Sequence, residues 1–565
     1  MKRIEIIKKR MRTMKQGNCL KLDRLILIVT LLLFGGFYDW NIAFVGCCIC
    51  LYAMMLFCKK QPIYRKEHKL PLWLPEIIIL FQFLVLFWAV DRSANISGIM
   101  RGISILLWMY ICLQMDDSNK ERLLLMIPRM GECMVICGSA ALLFQRIKPF
   151  FWRAERFGGF FQYANTCALF LLLGIVICYF EWDRKITLSI RTNGRICCRL
   201  VLLLLGVLLT GSRSILMFLV LWGSLHSVRN KKFRNIFIGV TIGGSIILGG
   251  YYLLTGSGTQ NISRIFTEPA SNSTFYGRLL YDIDGISILL KHPMGLGYLG
   301  YYYVQHMLQT GVYTVRFIHN DILQLGLDYG IIPMFLFICY MIWQLAQGKQ
   351  TMYQKELLVI ILIASLVDFH MQYLLIDFII ILCLDLGSQS IKQNKTERLE
   401  NCFLFGVLTL GFIFCFIPYF AVYNGRPDIA IQFMPNNTEA LRIAMIKTND
   451  RDTACSYAEK VLQNNKYIAD AYNVKAYAAA MENDIASVIK NQDEVLRLER
   501  YDVDRYCSYD LLLEQLALQY EKIGEYQTVE QIEEKRMDIR KQLASLREQT
   551  NPIAYKLRDI PKYTW

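Results

Sequence analysis

The sequence predicts an all-α protein: a polytopic bundle of about 12–13 transmembrane helices followed by a C-terminal, extracytoplasmic helical-repeat domain. Composition is the first reason. Of 565 residues, 54% are apolar and 13% aromatic, and the mean hydropathy is +0.31, which suits a membrane protein rather than a soluble globule. Periodic length is the second. Apolar runs of about 17 to 25 residues, some shorter, recur from Leu25 to Tyr423, the length a helix needs to cross a bilayer core about 30 Å thick. The third is a change of character at Gly425. From there the charge is 20 Lys and Arg against 23 Asp and Glu, in a chain whose net charge is +15. The positive excess therefore sits in the membrane part, where topology explains it, and no nucleic-acid partner is needed.

Residues 1–24 carry Lys2, Arg3, Lys8, Lys9, Arg10, Arg12, Lys15, Lys21 and Arg24 ahead of the first apolar run. A second apolar run follows at once and no small-residue cleavage site separates them, so the start reads as an anchored, cytoplasmic N-terminus. Crossings are expected near 25–40, 41–58, 71–90, 98–115, 123–145, 160–181, 199–212, 214–228, 236–254, 331–347, 356–373, 375–389 and 402–423. Lys and Arg concentrate in short cytoplasmic loops. Lys59 and Lys60, Arg184 and Lys185, Lys231 and Lys232, and Lys392 and Lys395 all fit a tail placed opposite the N-terminus. The expected organisation is 25–254 for nine crossings, 255–330 for a large extracytoplasmic catalytic loop, 331–424 for four more, and 425–565 for an outer helical domain.

The long connection ending at Gly330 is too long for a turn between bundle helices and too rich in aromatics, among them Phe275, Tyr276, Tyr281 and Tyr301 to Tyr303, for a disordered spacer. Within it and on the same predicted side lie basic residues that topology disfavours: Arg146, Lys148, Arg153, Arg156, Arg213, Arg264, Arg278, Lys291 and Arg316. Singly, each could pair with a headgroup or an acid such as Glu155 or Glu268. Together, converging guanidinium groups suit a phosphate-bearing ligand, whose oxygens match the planar fork.

From Arg278 to Leu290 the apolar spacing predicts an amphipathic helix at the membrane surface, with good capping residues at Ser271 to Thr274 and free N–H groups near Arg278 for a phosphate. Asn320, Gln324 and Asp328 recur every four residues on the helix that opens the tenth crossing, and such a stripe should face protein or a wet cavity. His319 stands at its mouth, where a side chain titrating near neutrality suits removal of a proton from a sugar hydroxyl. The rivals are His292, which reads as a turn former before Pro293, and His306.

Other charges lie inside apolar runs: Glu76, Arg101, Arg129, Glu132 and Asp368. Structural pairing is the favoured reading; coupling charges of a transporter are the other, although two similar halves with interrupted helices are not evident. The cysteines include no CxxC pair with a matching partner and no His/Asp cluster at ligand spacing, so no metal is expected. Cys455 and Cys507 alone fall in the outer domain, where the compartment permits a disulfide.

Four pieces of sequence resemble a known family. They are Arg156-Phe157-Gly158-Gly159-Phe160-Phe161-Gln162-Tyr163-Ala164-Asn165; Thr210-Gly211-Ser212-Arg213; Gly277-Arg278 with His292-Pro293 and Gly295-Leu296-Gly297; and His319-Asn320-Asp321 through to Gly330. In this order and on the predicted outer side they resemble the O-antigen ligase and polymerase family of membrane glycosyltransferases, although that family often has Pro-Asn where Ala164-Asn165 stands. The resemblance implies transfer of a glycan from an undecaprenyl-diphosphate carrier to an acceptor hydroxyl, at the outer face of a bacterial cell membrane, without metal or nucleotide cofactor. It implies that Arg213 and Arg278 hold the diphosphate and stabilise it as it leaves, and that His319 acts on the hydroxyl. Arg156, Asn165, Arg316, Asn320 and Gln324 are implied in substrate binding. The acceptor is left open among a second lipid-linked chain, a wall polymer and a protein, and a glycan transporter or flippase is the alternative function.

The tail resembles a short tetratricopeptide-like array. Asp452-Thr453-Ala454 and Asp484-Ile485-Ala486 begin comparable helices, and alanines from Ala454 to Ala486 allow close helix contacts. A platform for an acceptor or partner and a solvated cap are equally open readings.

Overall fold

The computed structural model of the protein describes residues 22–58, 63–64, 73–184, 190–231, 233–235, 238–239, 273–386, 390–391, 395–557 and 563. Among these the fold is all-α, interrupted only by two pairs of two-residue strands. After a helix over 22–32, the helices of the apolar part are α1 (Asp39–Cys58), α2 (Trp73–Val85), α3 (Arg92–Leu113), α4 (Asp117–Leu124), α5 (Ile127–Ala140), α6 (Ala164–Arg184), α7 (Ile190–Thr210), α8 (Arg213–Arg229), α9 (Ser273–Lys291), α10 (Gly300–Leu308), α11 (Asp321–Tyr329), α12 (Ile331–Gln347), α13 (Met352–Ser365), α14 (Leu374–Cys383) and α15 (Lys395–Tyr423). The tail adds α16 (Pro427–Phe433), α17 (Thr438–Lys447), α18 (Arg451–Asn464), α19 (Ala469–Met481), α20 (Ile485–Leu498), α21 (Val503–Lys522) and α22 (Tyr526–Gln549).

Every apolar run read as a crossing coincides with one of these helices except 236–254, of which only residues 238 and 239 are described. Among the described residues, five helical stretches are long and apolar enough to cross a membrane: Asp39–Leu56, Arg92–Leu113, Asp117–Leu143, Ala164–Asp183 and Thr396–Tyr423. Pro75–Val85, Ile331–Gln347 and Leu374–Cys383 are shorter and equally apolar. The difference from the expected count has local causes. Arg191, Arg195 and Arg199 occupy the first half of α7, and α13 already ends at Ser365, ahead of a 3-10 turn at His370–Gln372.

The chain forms two compact units, one of Met1–Ile77, Met100–Pro269 and Leu336–Phe416, the other of Ile78–Ile99, Ala270–Phe335 and Ile417–Trp565. The hub of the first is α6, whose apolar span is 83% buried because it is apolar on every face and packs against α5, α7, α8 and α13. By contrast Thr396–Tyr423 is only 28% buried and turns Phe403, Leu404, Leu410 and Phe414 outward. So much outward apolar surface is tolerated by lipid and not by water, and the protein is an all-α membrane protein. Three of the charges inside apolar runs have partners: Arg101 pairs with Asp377 at 2.6 Å, Glu132 pairs with Arg199 at 2.9 Å, and Glu76 accepts the Tyr110 hydroxyl.

The second unit joins α9 to α11 with the tail. Leu280 of α9 packs with Tyr313 and Ala554, and Met307 packs with Val495 and Leu498. The Asn551 N–H donates to the Thr310 carbonyl at 2.8 Å. Within the tail, α17 to α20 pack successively and α21 packs on α22 around Tyr509, Leu513, Ile532 and Ile539. The residues that start its comparable helices are the N-caps Asp450 and Asp484, 34 residues apart, each accepting the N–H three residues on. Cys455 and Cys507 are both free thiols, so the permitted disulfide is absent.

Candidate active site

In the second unit, the local sequence sets the position of His319. Asn320 is the N-cap of α11 and accepts the Leu323 N–H at 3.1 Å, the role its short side-chain oxygen suits. One turn on, Gln324 is fully buried. Its oxygen accepts the Ile318 N–H at 2.8 Å and its nitrogen donates to Asp328 at 2.8 Å. The predicted stripe thus faces protein, and it braces the turn that carries His319. Across from it runs α9. A Cβ on Gly285 would lie 2.4 Å from Ile318 Cδ1, so the absence of a side chain lets the helix pass this close. The approach stacks the Tyr281 ring on the His319 ring, 5.9 Å between centroids and 29° between planes.

Next to Tyr281 on α9 stands Asp282, a half-buried carboxylate that sequence reasoning missed. It lies one turn from Arg278, hydrogen-bonds the Asn320 side chain and feels the charges of His319 and Arg278. Burial drives its pKa up from 3.8 to about 6, against the lowering pull of Asn320, His319 and Arg278. The retrievable signal was its spacing: Arg278 and Asp282 are four residues apart on a helix and so share a face. Asp284, on the opposite side, is structural. It accepts the Thr310 N–H at 2.9 Å, the Thr310 hydroxyl at 2.7 Å and the Tyr313 hydroxyl at 2.8 Å, and burial raises its pKa as well. Arg316 is exposed, its guanidinium 5.7 Å from the Phe317 ring centre.

The glycine string does structural work. Leu296 and Gly297 N–H groups donate to the Leu327 and Asp328 carbonyls at 2.8 and 2.9 Å, closing the C-terminus of α11, whose last carbonyls lack partners inside the helix. Gly295 and Gly297 take φ of +82° and +84°, values that favour glycine. His292 shapes the same turn, its carbonyl accepting the Gly295 N–H. Of the capping run at the start of α9, Ser271 and Asn272 lie outside the described residues. The apolar residues of α9 divide between two faces. Leu280, Ile288 and Leu289 are buried, while Phe275, Leu279, Ile283, Ile286 and Leu290 form an exposed stripe at helical spacing.

In the first unit, Arg156, Asn165 and the Ser-Arg turn come together. Arg156 follows a two-residue hairpin loop, Ala154-Glu155, between Trp152–Arg153 and Arg156–Phe157. Its Nε donates to the Thr210 carbonyl and its Nη2 to Asn165 Oδ1, both at 2.9 Å. Thr210 in turn organises Gly211-Ser212, because its hydroxyl accepts the Ser212 N–H at 3.2 Å, and Arg213 begins α8. Asn165 Nδ2 donates to Asp368 at 2.5 Å and to the Tyr163 hydroxyl at 3.1 Å, and that hydroxyl donates to Asp368 at 2.9 Å. Asp368 is fully buried. It was expected as a structural charge and is the anchor of this network.

Among the described residues no group of three or more His, Cys, Asp or Glu is arranged to hold a metal. No curated protein matches the chain in sequence. The O-antigen ligase family profile matches residues 199–338, a segment that includes Arg213, Arg278, Arg316, His319, Asn320 and Gln324 and excludes Arg156 and Asn165. Residues 199–338 thus carry the sequence of an O-antigen ligase domain, which supports membrane glycosyl transfer as the general function.

Proposed function

We propose that the protein transfers a glycan from an undecaprenyl-diphosphate-linked donor to an acceptor hydroxyl, without a metal. The observation that carries this is the grouping of Arg278, Asp282, His319 and Asn320, in which a base, a carboxylate facing it and a guanidinium share one place. In the reaction the acceptor oxygen attacks the anomeric carbon, and its proton goes to His319. The bond from that carbon to the diphosphate breaks with its electron pair, and the charge arriving on the diphosphate is met by Arg278, which is where most of the rate enhancement arises. Asp282 and Asn320 orient His319 and stabilise its protonated form, and Gln324 acts through the turn it braces. Arg316 offers a further guanidinium for the glycan. In the first unit Arg213 is the candidate phosphate contact, and Arg156 and Asn165 hold its turn.

The topology belongs to the same proposal: a multi-pass protein of a bacterial cell membrane with a cytoplasmic N-terminus and an outer tail. The second unit contains the connection after the third crossing, most of the long loop and the tail, which charge distribution assigns to the outer side, together with the adjoining ends of crossings. The exposed apolar stripe of α9 suits a helix seated in the interface, at the depth of a lipid-linked diphosphate. A tetratricopeptide-like tail is supported by its successive packed helices and the spacing of its caps.

The deciding measurement is product mass after the purified protein, in lipid vesicles, is given a lipid-diphosphate-linked oligosaccharide, with His319→Ala and Arg278→Ala in parallel. Wild-type protein should lengthen or move the glycan, and both variants should lose turnover while still binding donor. If the glycan only changes sides of the bilayer and no acceptor is consumed, the protein is a transporter and the proposal fails.

A further inference from the structure

A second feature of the second unit is a cleft of about 690 Å³ whose lining comes from the 88–96 segment, the turn at His292, the loop after α16 and the end of α18 with the loop that follows it. Its size is that of a small-molecule or oligosaccharide site. The frame is fixed by hydrogen bonds. Fully buried Asp91 accepts the Ser93 hydroxyl at 2.7 Å, the Ala94 N–H at 3.0 Å and the Asn465 side-chain nitrogen at 3.1 Å, so one carboxylate ties the start of α3 to the tail. The Thr438 N–H donates to Ser93 Oγ at 3.2 Å, and the Val90 N–H to the Leu296 carbonyl at 2.8 Å.

What the frame presents includes the aromatic rings of Trp88 and Tyr467, the cations Arg92 and Lys466, and the amides Asn436, Gln463 and Asn464. Trp88 is 41% exposed, with its Nε1 donating to the Met294 carbonyl at 3.3 Å, and Tyr467 lies under Lys466, whose Nζ is 5.5 Å from the ring centre. Arg92 is exposed beside them, and Asn464 donates to the Asn436 carbonyl at 3.1 Å. Aromatic faces pack against the C–H faces of sugar rings, and amides give and accept hydrogen bonds to hydroxyls. The described residues lining the cleft include no Asp or Glu, so Arg92 and Lys466 leave it positive and able to pair with carboxylates.

We propose that this cleft is a binding subsite for an acidic glycan, a sugar chain bearing carboxylates, and that this chain is the acceptor. Only the word acceptor rests on the function proposed above; the binding does not. The test uses the full-length protein in nanodiscs of phosphatidylcholine, titrated calorimetrically with hexagalacturonate and with maltohexaose as a neutral chain of equal length. Hexagalacturonate should bind more tightly, and its affinity should fall about tenfold or more in Arg92→Gln/Lys466→Gln, whose altered side chains are exposed and do not carry the frame. Trp88→Ala should weaken both sugars. Equal affinity for the two sugars in wild type, or hexagalacturonate affinity unchanged in the double variant, would overturn the proposal. The two readings separate cleanly: binding of this kind without glycosyl transfer leaves the cleft standing and removes the reaction, and transfer with normal binding in the double variant does the reverse.

Discussion

The Gln324 side chain accepts the Ile318 backbone N–H at 2.8 Å, so a buried amide on α11 fixes the residue immediately before His319. Gln324→Leu fills the same space and removes the acceptor. It leaves the buried Ile318 N–H without this partner and takes from Asp328 the donor it has at 2.8 Å. An unmade buried hydrogen bond costs about 1–3 kcal/mol. Thermal unfolding should show that loss, and the transfer rate should fall further than donor affinity, because the variant displaces His319 and leaves Arg278 in place.

Arg156 uses two edges of its guanidinium, one on the Thr210 carbonyl and one on Asn165, each at 2.9 Å. A lysine presents one point charge and cannot make both bonds. Arg156→Lys should therefore behave nearly as badly as Arg156→Ala, with about 1–3 kcal/mol of destabilisation and weaker donor binding through the Arg213 turn. Equal donor affinity in Arg156→Lys and wild type would remove Arg156 from any role in holding that turn.

The hairpin ahead of Arg156 places Ala154 and Glu155 at φ of +46° and +58°. Two-residue hairpin loops of this kind favour Asn-Gly, and a left-handed L-residue costs about 1–2 kcal/mol. Substituting Ala154→Asn with Glu155→Gly should raise stability by about that amount, since the exposed Lys148–Glu155 contact at 3.4 Å contributes little. Melting experiments measure the gain, and transfer should be unchanged.

Much of this architecture was legible in sequence because membrane helices announce themselves by length and apolarity. Arginines and a histidine standing where the expected topology disfavours charge pointed to the segment that the O-antigen ligase profile matches. Two things were hidden. Asp282 reads as an ordinary acid on an amphipathic helix, and only the passage of α9 at Gly285 brings it beside His319. Asp368 is 203 residues from Asn165, to which it bonds at 2.5 Å, and no local spacing encodes such a contact. The glycine string's conformation serves the end of α11, a role that its spacing alone does not give.

Asp282 makes the pH dependence of the reaction specific. Burial raises its carboxyl from 3.8 to about 6, so the ionised form needed beside protonated His319 is lost as pH falls through about 6, and the transfer rate at saturating donor should fall with it. Stability runs the other way. A carboxyl that holds its proton more tightly folded than unfolded contributes most below 3.8, and that contribution is lost as pH rises to about 6. Asp282→Asn removes both effects. Its rate should be low and should lack the fall that the Asp282 carboxyl causes near 6, while its melting temperature relative to wild type should improve between the two values and hold above them. A rate profile in Asp282→Asn that still drops near pH 6 would assign the titration to another group and leave Asp282 with a purely positioning role.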